Sequence, residues 1–231
     1  MSYFNEDEIG RFGWRHLSGY RKMSEEQIRK FKDSVDWVEI SNSQKLSEDF
    51  IREFKDSVDW SCWIPIRQKL SENFIREFQD KVNWHWVSKC QKLSEDFIRE
   101  FKDSVDWKAV SDSQELSEDF IREFQDRVSW SWISNGQKLS EDFIREFQDK
   151  VDWSWISNGQ KLSEEFIREF KYKLDWSCMS YTQRLSEDLI REFQDSVNWY
   201  DISLYQDVSR AFICEFRDKG KGVYNGYLIR K

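Results

Sequence analysis

The sequence predicts an all-α fold, an elongated α-solenoid of about nine two-helix repeats of 23 residues with atypical capping ends. Three observations predict it: the chain matches itself at an offset of 23 residues, each repeat has a serine at one phase, and a second helix-capping residue follows twelve positions later. The repeats are marked by a Leu-Ser pair or its equivalent, beginning at Met23, Leu46, Leu70, Leu93, Leu116, Leu139, Leu162, Leu185 and Val208. Seven of the eight intervals are 23 residues and one is 24, with the extra residue near Pro65.

The first helix of each repeat begins after the serine. In the unit that starts at Leu139, Ser140 is the predicted N-cap and the helix is expected over roughly 141–150. Its apolar residues recur at helical spacing and form one stripe: Phe143, Ile144, Phe147 and Val151. The opposite face is charged, and the spacing predicts ion pairs from Glu141 to Arg145 and from Glu146 to Lys150.

The second helix begins at a recurring tryptophan, Trp153 in the same unit, directly after the predicted N-cap Asp152. The other cap positions are Asp36, Asp59, Asn83, Asp106, Ser129, Asp175 and Asn198, all of them residues whose short polar side chains cap helices. The helix is expected to bury Trp153 and Ile156 and to end near Gly159 in a left-handed C-cap, with Gly136 as the equivalent glycine.

A strand-and-helix repeat is the alternative, because residues 151–155 alternate between apolar and polar side chains. The other repeats argue against it. The position of Trp155 is Glu39 in one repeat and Asp201 in another, whereas the next position stays apolar in nearly every repeat. An apolar residue three positions after the tryptophan indicates a helix.

The repeats divide the chain into three predicted segments. Residues 1–22 form a degenerate N-terminal cap, 23–207 are the tandem helical repeats, and 208–231 hold the last helix and a C-terminal cap. The segment Phe4 to Ile9 resembles a shortened first helix. Near the other end, apolar residues of the tail are expected to cover Phe212 and Phe216; they are Val223, Tyr224, Tyr227, Leu228 and Ile229.

Composition limits the classes of function. With 44 acidic against 36 basic residues the net charge is −8, which disfavours a polyanionic partner, and no apolar run is long enough to cross a bilayer. The acidic start lacks a secretory signal, so we expect an intracellular protein. The four cysteines lack C-x-x-C spacing, which predicts reduced thiols, no metal site and no cofactor.

Catalysis is not indicated. His85 with Cys90 five residues later is a conceivable base and nucleophile, but no orienting group or pocket accompanies the pair. The carboxylates recur from repeat to repeat, whereas a catalytic acid and base require unlike environments. The sequence therefore predicts a protein that is not an enzyme.

Two further rows of residues have a structural and a functional interpretation. Arg145 and its equivalents form a row when repeats stack, and Glu146 and its equivalents are expected to form ion pairs with that row. A stripe of arginines that binds phosphates is the alternative interpretation. Gln137, Gln160 and their equivalents are expected to hydrogen-bond loop backbone.

Variation among the repeats is concentrated on the second helix, where large aromatic residues occur that the repeat itself does not require. Tryptophan and tyrosine anchor many protein interfaces, so these positions are candidates for partner contact. The candidate partner-binding residues are Trp86, Trp132, Trp155, His85, Tyr181 and Tyr205. Packing between adjacent second helices is the alternative interpretation.

The unit LSEDFIREFQDKVDW, followed by an Ile-Ser and Gln-Lys element, resembles short tandem-repeat proteins of the giant DNA viruses of amoebae, the Marseillevirus and Mimivirus relatives. The similarity spans residues 23 to about 219. It implies an array fold, a viral origin and a location in the host-cell cytoplasm or the virion. No catalytic or binding residue is transferred by it.

These observations favour a non-enzymatic scaffold that presents the variable face of its second helices to a protein partner, a host factor or a virion component. Two alternatives are single-stranded nucleic-acid binding with one repeat per nucleotide and a self-assembling structural or virion protein. A membrane partner is not expected.

Overall fold

The structure of the protein is a computed structural model that describes residues 6–216 and residue 219, with side chains from Gly13 onward. All regular secondary structure in these residues is helical, in eighteen elements without a strand, which confirms the predicted all-α class and rules out the strand-and-helix repeat. None of these helices is long and apolar enough to span a membrane. Phe4 and Asn5, at the start of the predicted shortened first helix, lie outside the described residues, as does the tail from Val223 to Ile229 that was predicted to cover Phe212 and Phe216.

The chain forms two compact units, residues 1–114 and residues 115–231. The first unit contains α1 (Glu6–Tyr20), α2 (Glu25–Lys30), α3 (Trp37–Ser43), α4 (Glu48–Glu53), α5 (Trp63–Arg67), α6 (Glu72–Glu77), α7 (Trp84–Cys90), α8 (Glu95–Glu100) and α9 (Trp107–Ser113). The second contains α10 (Glu118–Glu123), α11 (Trp130–Gly136), α12 (Glu141–Glu146), α13 (Trp153–Gly159), α14 (Glu164–Glu169), α15 (Trp176–Thr182), α16 (Glu187–Glu192), α17 (Trp199–Tyr205) and α18 (Arg210–Glu215).

Each unit is an array in which the second helix of one repeat packs against the second helix of the next. In the first unit α1, α3, α5, α7 and α9 pack in that order, and in the second α11, α13, α15 and α17 do the same. The solenoid arrangement predicted from the 23-residue period is thus present within each unit.

The predicted helix starts are confirmed in every repeat except one: the second helix of the 24-residue repeat begins at Trp63 after Cys62, and the start predicted at Asp59 is wrong. Every repeat serine from Ser24 to Ser209 accepts a hydrogen bond from the backbone N–H three residues later, as in Phe143 N to Ser140 Oγ at 3.2 Å. At the second start, Asp152 accepts the N–H groups of Ser154 and Trp155. A six- or seven-residue helix is marginal by itself, so these caps and the packing between repeats hold it in place.

The first helix is shorter than the sequence predicts. It ends at Glu146, and Lys150 lies in a turn that follows, in which the carbonyl of Phe147 accepts the N–H groups of Lys150 and Val151. The predicted pair between Glu146 and Lys150 is wrong for this reason: Glu146 binds Arg122 at 2.8 Å, while Lys150 binds Asp126 of the preceding repeat.

The left-handed C-cap predicted at Gly159 is also wrong. Gly159 is the last helical residue of α13, and the following Gln160 is extended, with φ −88° and ψ 145°. Among the described residues a positive φ occurs only at Gly13, which interrupts α1. The C-terminal carbonyl groups of the second helices are satisfied by glutamine side chains of the next repeat, as described below, so no left-handed residue is needed.

The apolar stripe predicted for the first helix forms the core. Phe143, Ile144 and Ile156 are completely buried, and Phe147 and Val151 are nearly so. The recurring tryptophan lies at the border of this core. Trp153 contacts Phe170 of the next repeat with ring centroids 4.9 Å apart and the ring planes tilted by 31°, and its indole N–H donates to the carbonyl of Gln148 at 2.9 Å. Repeats therefore share their buried aromatic residues with their neighbours.

The repeat of 24 residues contains its extra residue at the start of α5. The N–H of Ile64 donates to the carbonyl of Asp59, five residues back, where the other repeats bond four residues back. The helix then begins at Trp63, with Cys62 as the inserted residue. Pro65 is the third residue of this helix. Backbone N–H groups in the first turn have no intrahelical acceptor, so a proline there costs the helix no hydrogen bond.

Candidate interaction surface

The second helices present one buried and one exposed face in each unit. In the seven-residue second helices the fourth residue is completely buried, as for Val87 and Ile156, whereas the second, third and sixth residues lie wholly or partly at the surface, apart from the buried Ala109. The buried positions hold similar residues in successive repeats and the exposed positions do not. Variation is therefore located where packing places little demand on the side chain.

In the first unit, His85 and Trp86 lie together on α7, with ring centroids 4.8 Å apart in an edge-on arrangement. His85 is exposed and Trp86 is half-buried. Nδ1 of His85 lies 2.7 Å from Oδ2 of Asp106, the N-cap of α9. This hydrogen bond, with those from the N–H groups of Ala109 and Lys108, lowers the pKa of the Asp106 carboxyl.

Trp63 also belongs to this surface, although the sequence analysis did not identify it. It directly precedes the buried Ile64, as Trp86 precedes Val87, and the guanidinium of Arg67 lies 5.6 Å from its ring. The inserted residue shifts the phase of this repeat, so a count forward from Trp60 gives Ser61 and Cys62 at the variable positions. Counting back from Gln68, the residue that ends the helix, would have identified Trp63.

In the second unit, Trp132 and Trp155 occupy the same position on the packed helices α11 and α13. Trp132 is half-buried, and Trp155 is 38% exposed. Both tryptophan side chains are thus partly packed against the array and partly open to solvent.

Tyr181 and Tyr205 are brought together on α15 and α17, with ring centroids 6.2 Å apart. They are 45% and 62% exposed. The Tyr181 hydroxyl donates to the sulfur of Cys178 at 3.7 Å, and this contact and the nearby negative charges raise the pKa of Tyr181. Two further exposed apolar side chains, Tyr200 and Leu204, lie on α17. The exposed aromatic face of the second unit consists of Trp155, Tyr181, Tyr200, Leu204 and Tyr205.

The arginine row is paired with glutamates of the following repeat, as predicted. Arg145 donates from Nε to Glu169 at 2.8 Å, from Nη1 to Asp142 at 2.9 Å, and its guanidinium lies 5.0 Å from the ring centroid of Phe166. The hydrogen bond with Glu169 raises the pKa of Arg145. Equivalent pairs are Arg29–Glu53, Arg52–Glu77, Arg76–Glu100, Arg122–Glu146, Arg168–Glu192 and Arg191–Glu215. A phosphate at these guanidinium groups would have to displace a bound carboxylate.

The glutamine row hydrogen-bonds backbone across each repeat boundary, which confirms the structural prediction. Gln160 donates from Nε2 to the carbonyl oxygen of Gln137 at 2.7 Å, and its Oε1 accepts the N–H of Leu139 at 3.2 Å. These groups are buried, so each glutamine satisfies both a carbonyl at the end of one second helix and an N–H in the loop that follows it.

Residues with catalytic or ligating chemistry are dispersed. His85 has Asp106 as its partner, Cys90 is exposed, and all four cysteines are free thiols. In the part of the chain with described side chains, no group of three or more His, Cys, Asp or Glu residues is placed to hold a metal ion.

The fold and this surface define the class: an all-α tandem-repeat protein of the α-solenoid type. No family model, no curated protein and no solved structure matches the chain.

Proposed function

We propose that the protein is a non-enzymatic scaffold that binds a protein partner through the exposed, variable face of its second helices. The observation that supports this function most directly is the exposed aromatic face of the second unit. There, Tyr181, Tyr200 and Tyr205 are 45%, 57% and 62% exposed on two helices packed side by side.

The energetic argument compares buried and exposed positions. The repeats are held by buried Phe and Ile residues and by the glutamine and arginine rows, which recur with little change. Exposed aromatic side chains contribute little to that framework and expose apolar surface to water. Burial of such surface by a partner is favourable by roughly 25 cal/mol per Å².

The carboxylates argue for a scaffold rather than an enzyme. Glu169 binds Arg145, and Glu141 accepts the N–H of Ser163, in arrangements that recur along each unit. Repeated, paired carboxylates differ from the unlike acid and base of a hydrolytic site. The resemblance to repeat proteins of amoebal giant viruses supports, as part of this proposal, a partner that is a host factor or a virion component.

The proposal is tested by affinity capture from amoebal cells followed by mass spectrometry, with three forms of the protein. The first is the wild type, the second carries Trp155→Ser, Tyr181→Ser and Tyr205→Ser, and the third carries Tyr172→Ser. Tyr172 is 91% exposed in a turn outside the second helices, so it is a matched control for the loss of a surface aromatic residue.

We expect a protein captured by the wild type and by the Tyr172 variant to be lost with the triple variant. Circular dichroism shows whether the triple variant keeps its helices. Equal capture by a folded triple variant would exclude this face as the binding surface, and light scattering over a concentration series detects self-association as the competing outcome.

A further inference from the structure

A row of basic residues lies at the C-terminal ends of the second helices in the first unit. The four residues that end or follow α1, α3, α5 and α7 read GYRK, NSQK, IRQK and KCQK, with seven cations and no carboxylate. This basic edge consists of Arg21, Lys22, Lys45, Arg67, Lys69, Lys89 and Lys92. It is a concentration of positive charge in a chain whose net charge is −8.

The register between repeats keeps these cations in one row. The glutamine before each lysine donates from Nε2 to the carbonyl oxygen of the residue before the preceding lysine: Gln44 to Arg21, Gln68 to Gln44 and Gln91 to Gln68, at 2.7, 2.8 and 2.8 Å. A lysine directly follows each residue that takes part in these bonds, so each repeat presents one lysine: Lys22, Lys45, Lys69 and Lys92. At the usual 8 to 10 Å between packed helices, the four lysines span roughly 27 Å.

The lysines of this edge are exposed and form no ion pair with any residue that the structure describes: Lys22, Lys45, Lys69, Lys89 and Lys92. Lys81, which lies in a turn after a first helix of the same unit, is instead paired with Asp56 at 2.6 Å. These five lysines of the edge are therefore available to a ligand.

Nearby carboxylates are already engaged. Glu25 and Glu48 accept the N–H groups of Ser47 and Ser71 in the next repeat, at 2.7 and 2.6 Å. Asp49 binds Arg52 at 2.8 Å. Glu39, which lies beside Gly19, is paired with Arg15.

Helix capping does not explain the lysines either. A cation near a helix C-terminus interacts favourably with unpaired carbonyl groups. In α3, however, the carbonyls of Ser41 and Gln44 accept hydrogen bonds from Gln68. A lysine is therefore not needed to satisfy these two carbonyl groups.

The edge is concave where the first two repeats meet. A cleft of about 350 Å³ is lined by residues that include Lys22, Met23, Gln44 and Lys45. A cleft at the equivalent position of the second unit has about 680 Å³ and includes Lys161 and Arg184. The recurrence at equivalent positions indicates that the cleft is a property of the repeat and that the side chains at its rim determine its charge.

We propose that the basic edge of the first unit binds an acidic segment of a partner protein in extended conformation. Charge complementarity and the row of unpaired lysines support an anionic ligand. Single-stranded nucleic acid fits less well, because such sites stack bases on successive aromatic side chains and Tyr20 is the sole aromatic residue in the four segments. The row of lysines also ends at Lys92 in the sequence, because the residue 23 positions after it is Glu115, which limits the length of a bound anion.

This inference rests on the proposed function in one respect, that the partner is a protein. The test uses a fluorescent glutamate-rich peptide of about ten residues, long enough to span roughly 27 Å, with anisotropy measured at low salt. The key variant carries Lys22→Gln, Lys45→Gln, Lys69→Gln and Lys92→Gln. The matched control carries Lys32→Gln, Lys55→Gln, Lys81→Gln and Lys102→Gln, with the same change in net charge away from the edge.

The wild type is expected to bind the peptide with an affinity that falls as salt rises. The edge variant weakens binding by at least about tenfold, the control variant by less than about twofold, and lysine-to-arginine changes at the edge retain binding. Equal weakening in edge and control variants, unchanged binding in the edge variant, or no binding to the wild type at low salt would each overturn the proposal. Tighter, edge-dependent binding of a single-stranded oligonucleotide of equal charge would replace it with a nucleic-acid site.

The aromatic triple variant separates this proposal from the proposed function. It should retain peptide binding, because the edge and the aromatic face belong to different units. Loss of captured protein with intact peptide binding would support both proposals. Capture that depends on the aromatic face, with no binding of the acidic peptide, would remove the basic edge alone.

Discussion

The side-chain amide of Gln91 donates to the backbone carbonyl oxygen of Gln68 at 2.8 Å, across the boundary between two repeats. Oε1 of the same side chain accepts the N–H of Leu70 at 2.9 Å, and Nε2 also donates to the carbonyl of Pro65. One buried side chain thus satisfies a loop amide and the C-terminal carbonyls of α5. Because the same bonds recur at successive repeats, this glutamine fixes the register of each array.

Replacement of Gln91 by methionine should destabilise the protein. The volume is kept, but the N–H of Leu70 and the carbonyl of Gln68 lose their partners in a buried position. Unpaired buried groups of this kind cost about 1–3 kcal/mol each, so we expect a loss of about 2–4 kcal/mol in the free energy of unfolding, measured in urea. Gln79→Met, at an exposed turn position, is the control and should be near neutral. A Gln91 variant as stable as this control would contradict the role assigned to the glutamine row.

Deletion of Cys62 combined with Pro65→Ser should stabilise the first unit. The edited segment reads WSWISIRQ, which restores the spacing of the repeat at 153–160. The new serine also supplies a hydroxyl group at a position where other repeats use one: Ser88, for example, accepts the N–H of Asp106, the N-cap of the next second helix, at 3.0 Å. We expect a gain of about 1–2 kcal/mol, checked by thermal and urea unfolding. Deletion of Cys62 with Pro65 retained is the comparison, and it should gain less. A double change that destabilises would show that the inserted residue is required by its surroundings.

Replacement of Arg145 by lysine should lower the thermal midpoint. A lysine cannot donate at once to Glu169, Asp142 and the nearby Glu141, and it lacks the planar guanidinium whose central carbon lies 5.0 Å from the ring centroid of Phe166. Arg184→Lys changes an exposed cation that has no ion pair with the described residues, and it should leave the midpoint unchanged. Since the Arg145 pairs are partly exposed, the difference between wild type and Arg145→Lys should shrink at high salt. A difference that does not respond to salt would assign the effect to packing on Phe166.

Acid should destabilise the protein through the glutamates that bind the next repeat. The N–H and hydroxyl of Ser209 lower the pKa of Glu187, and Ser186 does the same for Glu164. A carboxyl whose pKa is lower in the folded state contributes stability above the unfolded pKa, about 4.3 for glutamate, and loses it as the pH falls through the folded value. The expected loss therefore begins near pH 4 and increases below it.

Glu187→Gln removes this titration while it keeps an acceptor for Ser209, so its unfolding midpoint should fall less steeply with acid than that of the wild type. Glu165→Gln, at an exposed position of α14, should follow the wild-type curve. The measurement is thermal unfolding from neutral pH down to about pH 3. Parallel curves for all three proteins would mean that the hydrogen bond to Ser209 is not linked to stability.

The candidate surface was only partly predictable from the sequence. Trp86, Trp132 and Trp155 were found because they interrupt an otherwise regular pattern, and the structure places them on the exposed side of their helices with different degrees of burial. Trp63 was missed because the inserted Cys62 shifted the count. The basic edge was not predicted, because the lack of ion-pair partners for its lysines is a property of the packed array.

The sequence by itself determined the repeat length, the helix starts at Ser140 and Asp152, and the identity of the core residues, because caps and apolar periodicity act within a few residues of chain. Tertiary structure decided where the first helix ends and which charges pair, such as Lys150 with Asp126 in place of Glu146. It also decided that Gln160 ends the second helix without a left-handed glycine. These features depend on groups one repeat away, whose distance is set by the packing of one repeat on the next.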